Sequence, residues 1–273
     1  MKKLFLILSM ILFLASPAFA ACNYMNRCTV YQGSKTIWTP PFVEQFVQNI
    51  IRNELLKSTG QNFDVVLHSY NVGDLLTGKF KSLEISGKNV VLSGFHFSSL
   101  KLSTLCDYNS IDINSRPIRI NENMVVGVWA ELTASDLINT IQYKDYLNKA
   151  NSANLSAIGL SAYRIYPNTI NVDNSKLYFT VNAVPKGSYK PFDISVGADL
   201  RVQNGYMVAS KIDLINLYTG FDLSQISDFL AAINNWNFPF SLTGNDKSEI
   251  QIQNIHIVGD RIFIDATIFV PKT

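Results

Sequence analysis

The chain has 273 residues, of which 16% are charged and 47% hydrophobic, with 23 basic and 21 acidic side chains. Setting aside Lys2 and Lys3 of the leader leaves 23 − 2 = 21 basic side chains against 21 acidic ones. That balance argues against nucleic acid as the main partner, because phosphate binding needs a basic excess. Charge is sparse beside a typical ~25%, so the chain can bury a large apolar core.

The first twenty residues read as an export signal. Lys2 and Lys3 precede an apolar run, Leu4–Leu14, and Ala18-Phe19-Ala20 is a small-residue cleavage site. The run is too short for a confident spanning helix, and no later run is long enough either. We therefore expect an exported protein of the periplasm or cell envelope. Phe19-Ala20-Ala21-Cys22 loosely resembles a lipoprotein box, with Phe where Leu is usual. Lipid on Cys22 would tether the protein to a membrane.

The remaining length suits one β-rich domain, residues 42–273, behind an irregular arm, residues 21–41. The three cysteines are Cys22, Cys28 and Cys106. An oxidising compartment permits one disulfide and leaves one thiol over. Cys22–Cys28 would close a small loop. Cys28–Cys106 would pin the arm to the sheet, and is required if Cys22 carries lipid and a bridge exists. The spacing does not choose between them, and it is not that of a zinc site.

A helix is predicted over 42–57, with Pro41 in its first turn and Gly60 helping to end it. Phe42, Val43, Phe46, Val47, Ile50, Ile51 and Leu55 form one broad stripe that must be buried. Glu44, Gln45, Gln48, Asn49, Arg52 and Asn53 fall on the other side. From Asn62 to Leu105 the chain reads as short strands around a glycine turn, Leu75-Leu76-Thr77-Gly78-Lys79-Phe80. Phe95 and Phe97 alternate with polar residues, but Leu100 and Leu102 take the opposite parity. A bulge or bend near Ser98-Ser99 is expected. Further strands are predicted at Ile118–Ile120 and Met124–Ala130.

A second helix is predicted over Ala134–Lys149, capped by Thr133 with Asp136 three residues on. Leu177 to Ala183 and Phe192 to Gln203 alternate as strands, and Asn204-Gly205 reads as a hairpin turn into Tyr206–Leu217. A third helix is predicted over Leu223–Asn234. Ile250–Val258 and Arg261–Val270 form a closing hairpin around Gly259-Asp260, again with a change of parity. Few helices and many strands point to an α+β fold. The economical form is a strongly twisted antiparallel sheet rolled around a long amphipathic helix, with additional short helices.

With these segments placed, the chain resembles the LmeA-like phospholipid-binding family of exported bacterial proteins, relatives by fold of the tubular lipid-binding superfamily. The resemblance rests on Val72-Gly73-Asp74-Leu75-Leu76-Thr77-Gly78-Lys79-Phe80 with Leu83-Glu84-Ile85, on Phe97-Ser98-Ser99-Leu100-Lys101-Leu102, and on Ala130-Glu131-Leu132-Thr133-Ala134-Ser135-Asp136-Leu137. It covers roughly residues 42–270. It implies a rolled sheet around a long helix, an apolar groove, and phospholipid binding outside the cytoplasm. Some members are linked to envelope glycan assembly, but the pattern here carries no glycan-binding residues.

The residues offer little chemistry. His68, His96 and His256 all sit at polar positions of strands, where half-exposed strand residues are the ordinary reading. No nucleophile elbow, metalloprotease motif or phosphate loop occurs, so we expect no enzyme and no cofactor. Val65, Leu67, Leu83, Ile85, Phe95, Phe97 and Phe179 are the candidate lining of a groove for phospholipid or another acyl lipid, with peripheral membrane contact. The alternative is a non-enzymatic structural or assembly component of the cell envelope, its interior filled by its own helix or by a partner chain.

Overall fold

The computed structural model describes residues 24–33, 39–92, 94–112, 115, 119–140, 163–173, 175–187, 189–203, 205–215 and 248–272. The fold is mixed and sheet-rich, with several antiparallel sheets and few helices. Helix α1, Pro41–Thr59, starts on proline and ends at Gly60, whose φ of 72° is the left-handed closing residue. The Gly60 amide donates to Leu56 O at 2.8 Å.

α1 does not bury the whole of its apolar stripe. Val47 is buried, and Val43, Ile51 and Leu55 are half-buried on the core. Phe42 and Phe46 stand 72% and 63% exposed. The reason lies in the polar row at i, i+4 and i+8. Glu44 accepts from Ser69 N at 2.8 Å, Gln48 Nε2 donates to Leu67 O at 3.3 Å, and Arg52 Nε donates to Phe63 O at 3.2 Å. These bonds hold that row along strand β1, Asp64–His68. Val43, Val47 and Ile51 therefore point inward, and Phe42, Phe46 and Ile50 form an open flank.

After β1 the chain forms a short helix, α2, Val72–Leu76, where strands alone were expected. Asn71 caps it by accepting from Asp74 N at 2.8 Å. Gly78 (φ 77°) then turns the chain into β2, Lys79–Phe80. β3, Ser82–Leu92, and β4, Phe95–Thr104, follow, then β5, Asn109–Asp112, and β6, Arg119–Ile120. β7, Met124–Thr133, runs into helix α3, Ala134–Asn139. The expected capping box is present, with Thr133 and Asp136 bonding each other's backbone amides. α3 ends at Asn139, where Thr140 turns extended at ψ 135° and its hydroxyl donates to Asp136 O and accepts from His96 N. Residues 141–162 lie outside the described residues, as does the predicted helix 223–234.

β8, Tyr163–Asp173, β9, Lys176–Pro185, β10, Phe192–Gln203, and β11, Tyr206–Leu214, form an antiparallel four-stranded sheet in the order β11-β10-β9-β8. β12, Glu249–Val258, and β13, Arg261–Val270, make the closing hairpin around Gly259 (φ 62°). They complete the principal sheet, β1-β3-β4-β7-β13-β12, and a small third sheet holds β2-β5-β6. One ladder crosses the whole principal sheet: Val65↔Ile85↔Leu102↔Val128↔Ala266↔Ile252, one residue from each strand. Paired residues share a face, so this row fixes one continuous apolar side.

Of the bulge or bend expected near Ser98-Ser99, no bulge occurs. β3 and β4 keep one register from Glu84↔Ser103 through Leu92↔Phe95. The core parity nevertheless changes on both strands, from Leu83 and Ile85 to Val90 and Leu92, and from Leu100 and Leu102 to Phe97 and Phe95. Asn89, at φ 52°, lets the paired strands turn over together. In β12 the parity change is a bulge, because the register with β13 shifts between Ile252 and Asn254.

The arm is fastened at one end of the principal sheet. Cys28 and Cys106 form a disulfide. Tyr24 stacks on Phe269 at 5.8 Å, and the Arg27 guanidinium lies 4.5 Å from the Phe269 ring centre. Thr29 donates to Glu122 at 2.7 Å.

Two stability predictions follow from this architecture. A Cβ on Gly78 would lie 1.9 Å from Ile111 O, so Gly78→Ala should lower unfolding free energy by about 2 kcal/mol or more in urea titrations. The disulfide spans 78 residues, so Cys28→Ser with Cys106→Ser should cost about 2–5 kcal/mol in the same assay.

Candidate functional site

The seven candidate lining residues all meet apolar neighbours. Val65, Leu83, Ile85, Phe95, Phe97 and Phe179 join one cluster, which also holds Ala130, Leu132, Ile255 and Ile262. Leu67 belongs to a second cluster under α1, with Val47, Leu75, Phe80 and Ile268, and Leu83 and Ile51 touch both. Val65 and Phe97 lie in one cluster because β3, which pairs with both of their strands, changes parity at Asn89. Val65, Leu67, Phe95 and Phe97 are fully buried, whereas Leu83, Ile85 and Phe179 are half-buried.

Residues missed by sequence reasoning complete the surface. Leu100, Leu102 and Val128 lie on the same face, and Phe46 and Ile50 stand on the open flank of α1. The cross-strand row holding Leu102 and Val128 has no signal in any single strand. It exists only once the register is set.

Among the described residues the three histidines sit on three different strands. His68 lies on one edge strand, β1, and His256 on the other, β12. His68 Nδ1 is 3.8 Å from Glu44, and His256 stacks on Phe263 at 5.2 Å. Among the described residues no serine or cysteine bonds a histidine ring, and no group of three His, Cys, Asp or Glu could hold a metal ion. Among the same residues, no helix is long and apolar enough to cross a membrane.

The arm's end of the sheet is tied together at Ser69-Tyr70-Asn71. Ser69 Oγ donates to Thr39 at 2.9 Å and to Glu44 at 3.2 Å, which fixes the start of α1. Tyr31 stacks on Tyr70 at 3.8 Å and donates to Asp74 Oδ2 at 2.6 Å. The Asn71 amide donates to the same carboxylate at 2.6 Å. The bond to Asp74, helped by desolvation and the carboxylate's charge, pushes the Tyr31 phenol up to about 12 from 10.0. A raised folded-state value means the folded chain holds this proton more tightly. The arm contact is complete below pH 10 and is lost as pH rises through about 12. Phenolate absorbance should show a late-titrating tyrosine that Tyr31→Phe removes. Comparison with protein-family models, with curated proteins and with solved structures finds no match to this chain.

Proposed function

We propose that the protein is an exported, non-enzymatic phospholipid-binding protein that shields acyl chains between the α1 flank and the apolar sheet face. On this reading the sheet is curled around α1 as a half-open roll, as the resemblance to the LmeA-like family implies. The observation that carries it is Phe46, which stands 63% exposed on α1 although α1 lies along β1 at the edge of the six-stranded sheet. Leaving a phenylalanine in water forgoes about 2 kcal/mol of burial, a cost that an acyl chain lying against it would offset. Each methylene buried adds about 0.8 kcal/mol, so a short stretch of chain suffices. Sparse charge, the apparent leader and the disulfide suit an extracytoplasmic carrier.

A second reading is favoured by the burial of Val65, Leu67, Phe95 and Phe97 against the protein's own side chains. It is a structural or assembly component of the envelope whose interior is filled by itself.

Purified protein should release phospholipid into organic solvent, identified by mass spectrometry, and should take up a fluorescent phospholipid. Phe46→Asn with Ile50→Asn should reduce retained lipid about tenfold, with unfolding free energy within about 0.5 kcal/mol of the parent, because both sites are solvent-facing. A lipid-free protein that takes up no probe would sink the carrier reading and leave the structural one.

A further inference from the structure

The hairpin joining β9 to β10 ends in Lys186-Gly187-Ser188-Tyr189-Lys190-Pro191. Tyr189 is 100% exposed, and Lys186 and Lys190 are exposed on either side of it. The tip stands clear of the core. Farther down the same strands Phe179 pairs with Val196, where Val196 is buried and Phe179 packs on the core cluster. Pro185 lies about 20 Å beyond Phe179 along β9, at roughly 3.4 Å per residue. A Cβ added to Gly187 would meet no atom within 4 Å. Residues 177–192 hold two lysines and no acidic side chain, and Asp193 is the first carboxylate after them. Arg164, opposite Val184 in β8, brings a third basic residue to this end. Lysines keep a hairpin soluble, and single exposed apolar residues are ordinary on a surface. Neither accounts for an aromatic ring held wholly in water between two lysines.

We infer that this tip is a contact for an anionic phospholipid bilayer. Two parts of its chemistry choose that occupant. Lys186 and Lys190 are complementary to a negative surface. The residues after the leader carry 21 basic and 21 acidic side chains, so that attraction belongs to the tip and not to the chain as a whole. Tyr189 adds an amphipathic ring, which sits at headgroup level with its hydroxyl in water. An extended polyanion such as nucleic acid calls for a broader basic surface. The tip is also far narrower than the ~800 Å² that a protein partner covers. The inference is independent of the carrier reading, because the tip shares no residue with the α1 flank or the apolar sheet face.

The test is flotation of the protein with vesicles of phosphatidylcholine, alone or mixed with phosphatidylglycerol, at about 50 mM and about 500 mM salt. Flotation is expected on the mixed vesicles at low salt. It should fall at least about tenfold at high salt or without phosphatidylglycerol. Each lysine near such a surface contributes about fivefold, so Lys186→Gln, Tyr189→Ser and Lys190→Gln combined should cut flotation at least about tenfold. Lys81→Gln with Lys88→Gln removes the same charge from two other exposed lysines and should leave flotation within about twofold. Circular dichroism and urea unfolding of the tip variant should match the parent, since its side chains face solvent. The inference is overturned if the parent does not float, floats equally on neutral vesicles, or floats as well after the tip is changed. It is also overturned if the control variant loses as much, or if immobilised poly-glutamate captures the parent and anionic vesicles do not. Extracted lipid is a separate readout, and the tip variant should retain as much as the parent. A parent that floats without carrying lipid removes the carrier reading alone, and one that carries lipid without floating removes the contact alone.

Discussion

The edge of β1 governs the rest of the molecule. An edge strand presents backbone amides and carbonyls that must find partners or water. Here Glu44, Gln48 and Arg52, spaced one helical turn apart, supply partners at and around that strand. Satisfying the edge sets the rotation of α1 about its own axis. With the polar row turned to β1, only one of two apolar rows can reach the core. Val43, Val47 and Ile51 do so, and Phe42, Phe46 and Ile50 do not. The open flank is thus a consequence of hydrogen bonding, and any ligand site beside it inherits that origin.

Local signals in the sequence were reliable where local chemistry decides. The Thr133–Asp136 capping box, the close of α1 at Gly60 and the closing hairpin at Gly259 each depend on residues within one turn. Long alternating strands such as Phe192–Gln203 were equally legible. The stripe on α1 misled because seven apolar positions span more of the helix than one packing face can cover. Which row goes inside is decided by β1, and nothing in the helix itself records that. The parity change in β4 reads as a bulge or a bend, because alternation cannot tell an inserted residue from a shared turn-over at Asn89.

The candidate site divides in the same way. Its apolar residues could be chosen strand by strand, and all seven do meet apolar neighbours. Their relation to one another could not, because Val65, Ile85, Leu102, Val128, Ala266 and Ile252 form a row only through long-range register. The arm was the least legible part. Tyr24, Arg27 and Tyr31 follow no periodic pattern, yet each holds a contact with a residue far along the chain.

The strand order has a further meaning for how the chain acquires its shape. β7 lies in the middle of the principal sheet, and one of its two neighbours is β13, where Thr133 pairs with Arg261. During synthesis β7 appears long before that neighbour exists. Until the final hairpin arrives, the nascent chain displays Val125, Gly127 and Trp129 along a strand whose second edge is vacant. Closing such a distant pairing is slow, and a vacant central edge invites pairing with other chains. β13 therefore also acts as the cap that covers this edge against aggregation.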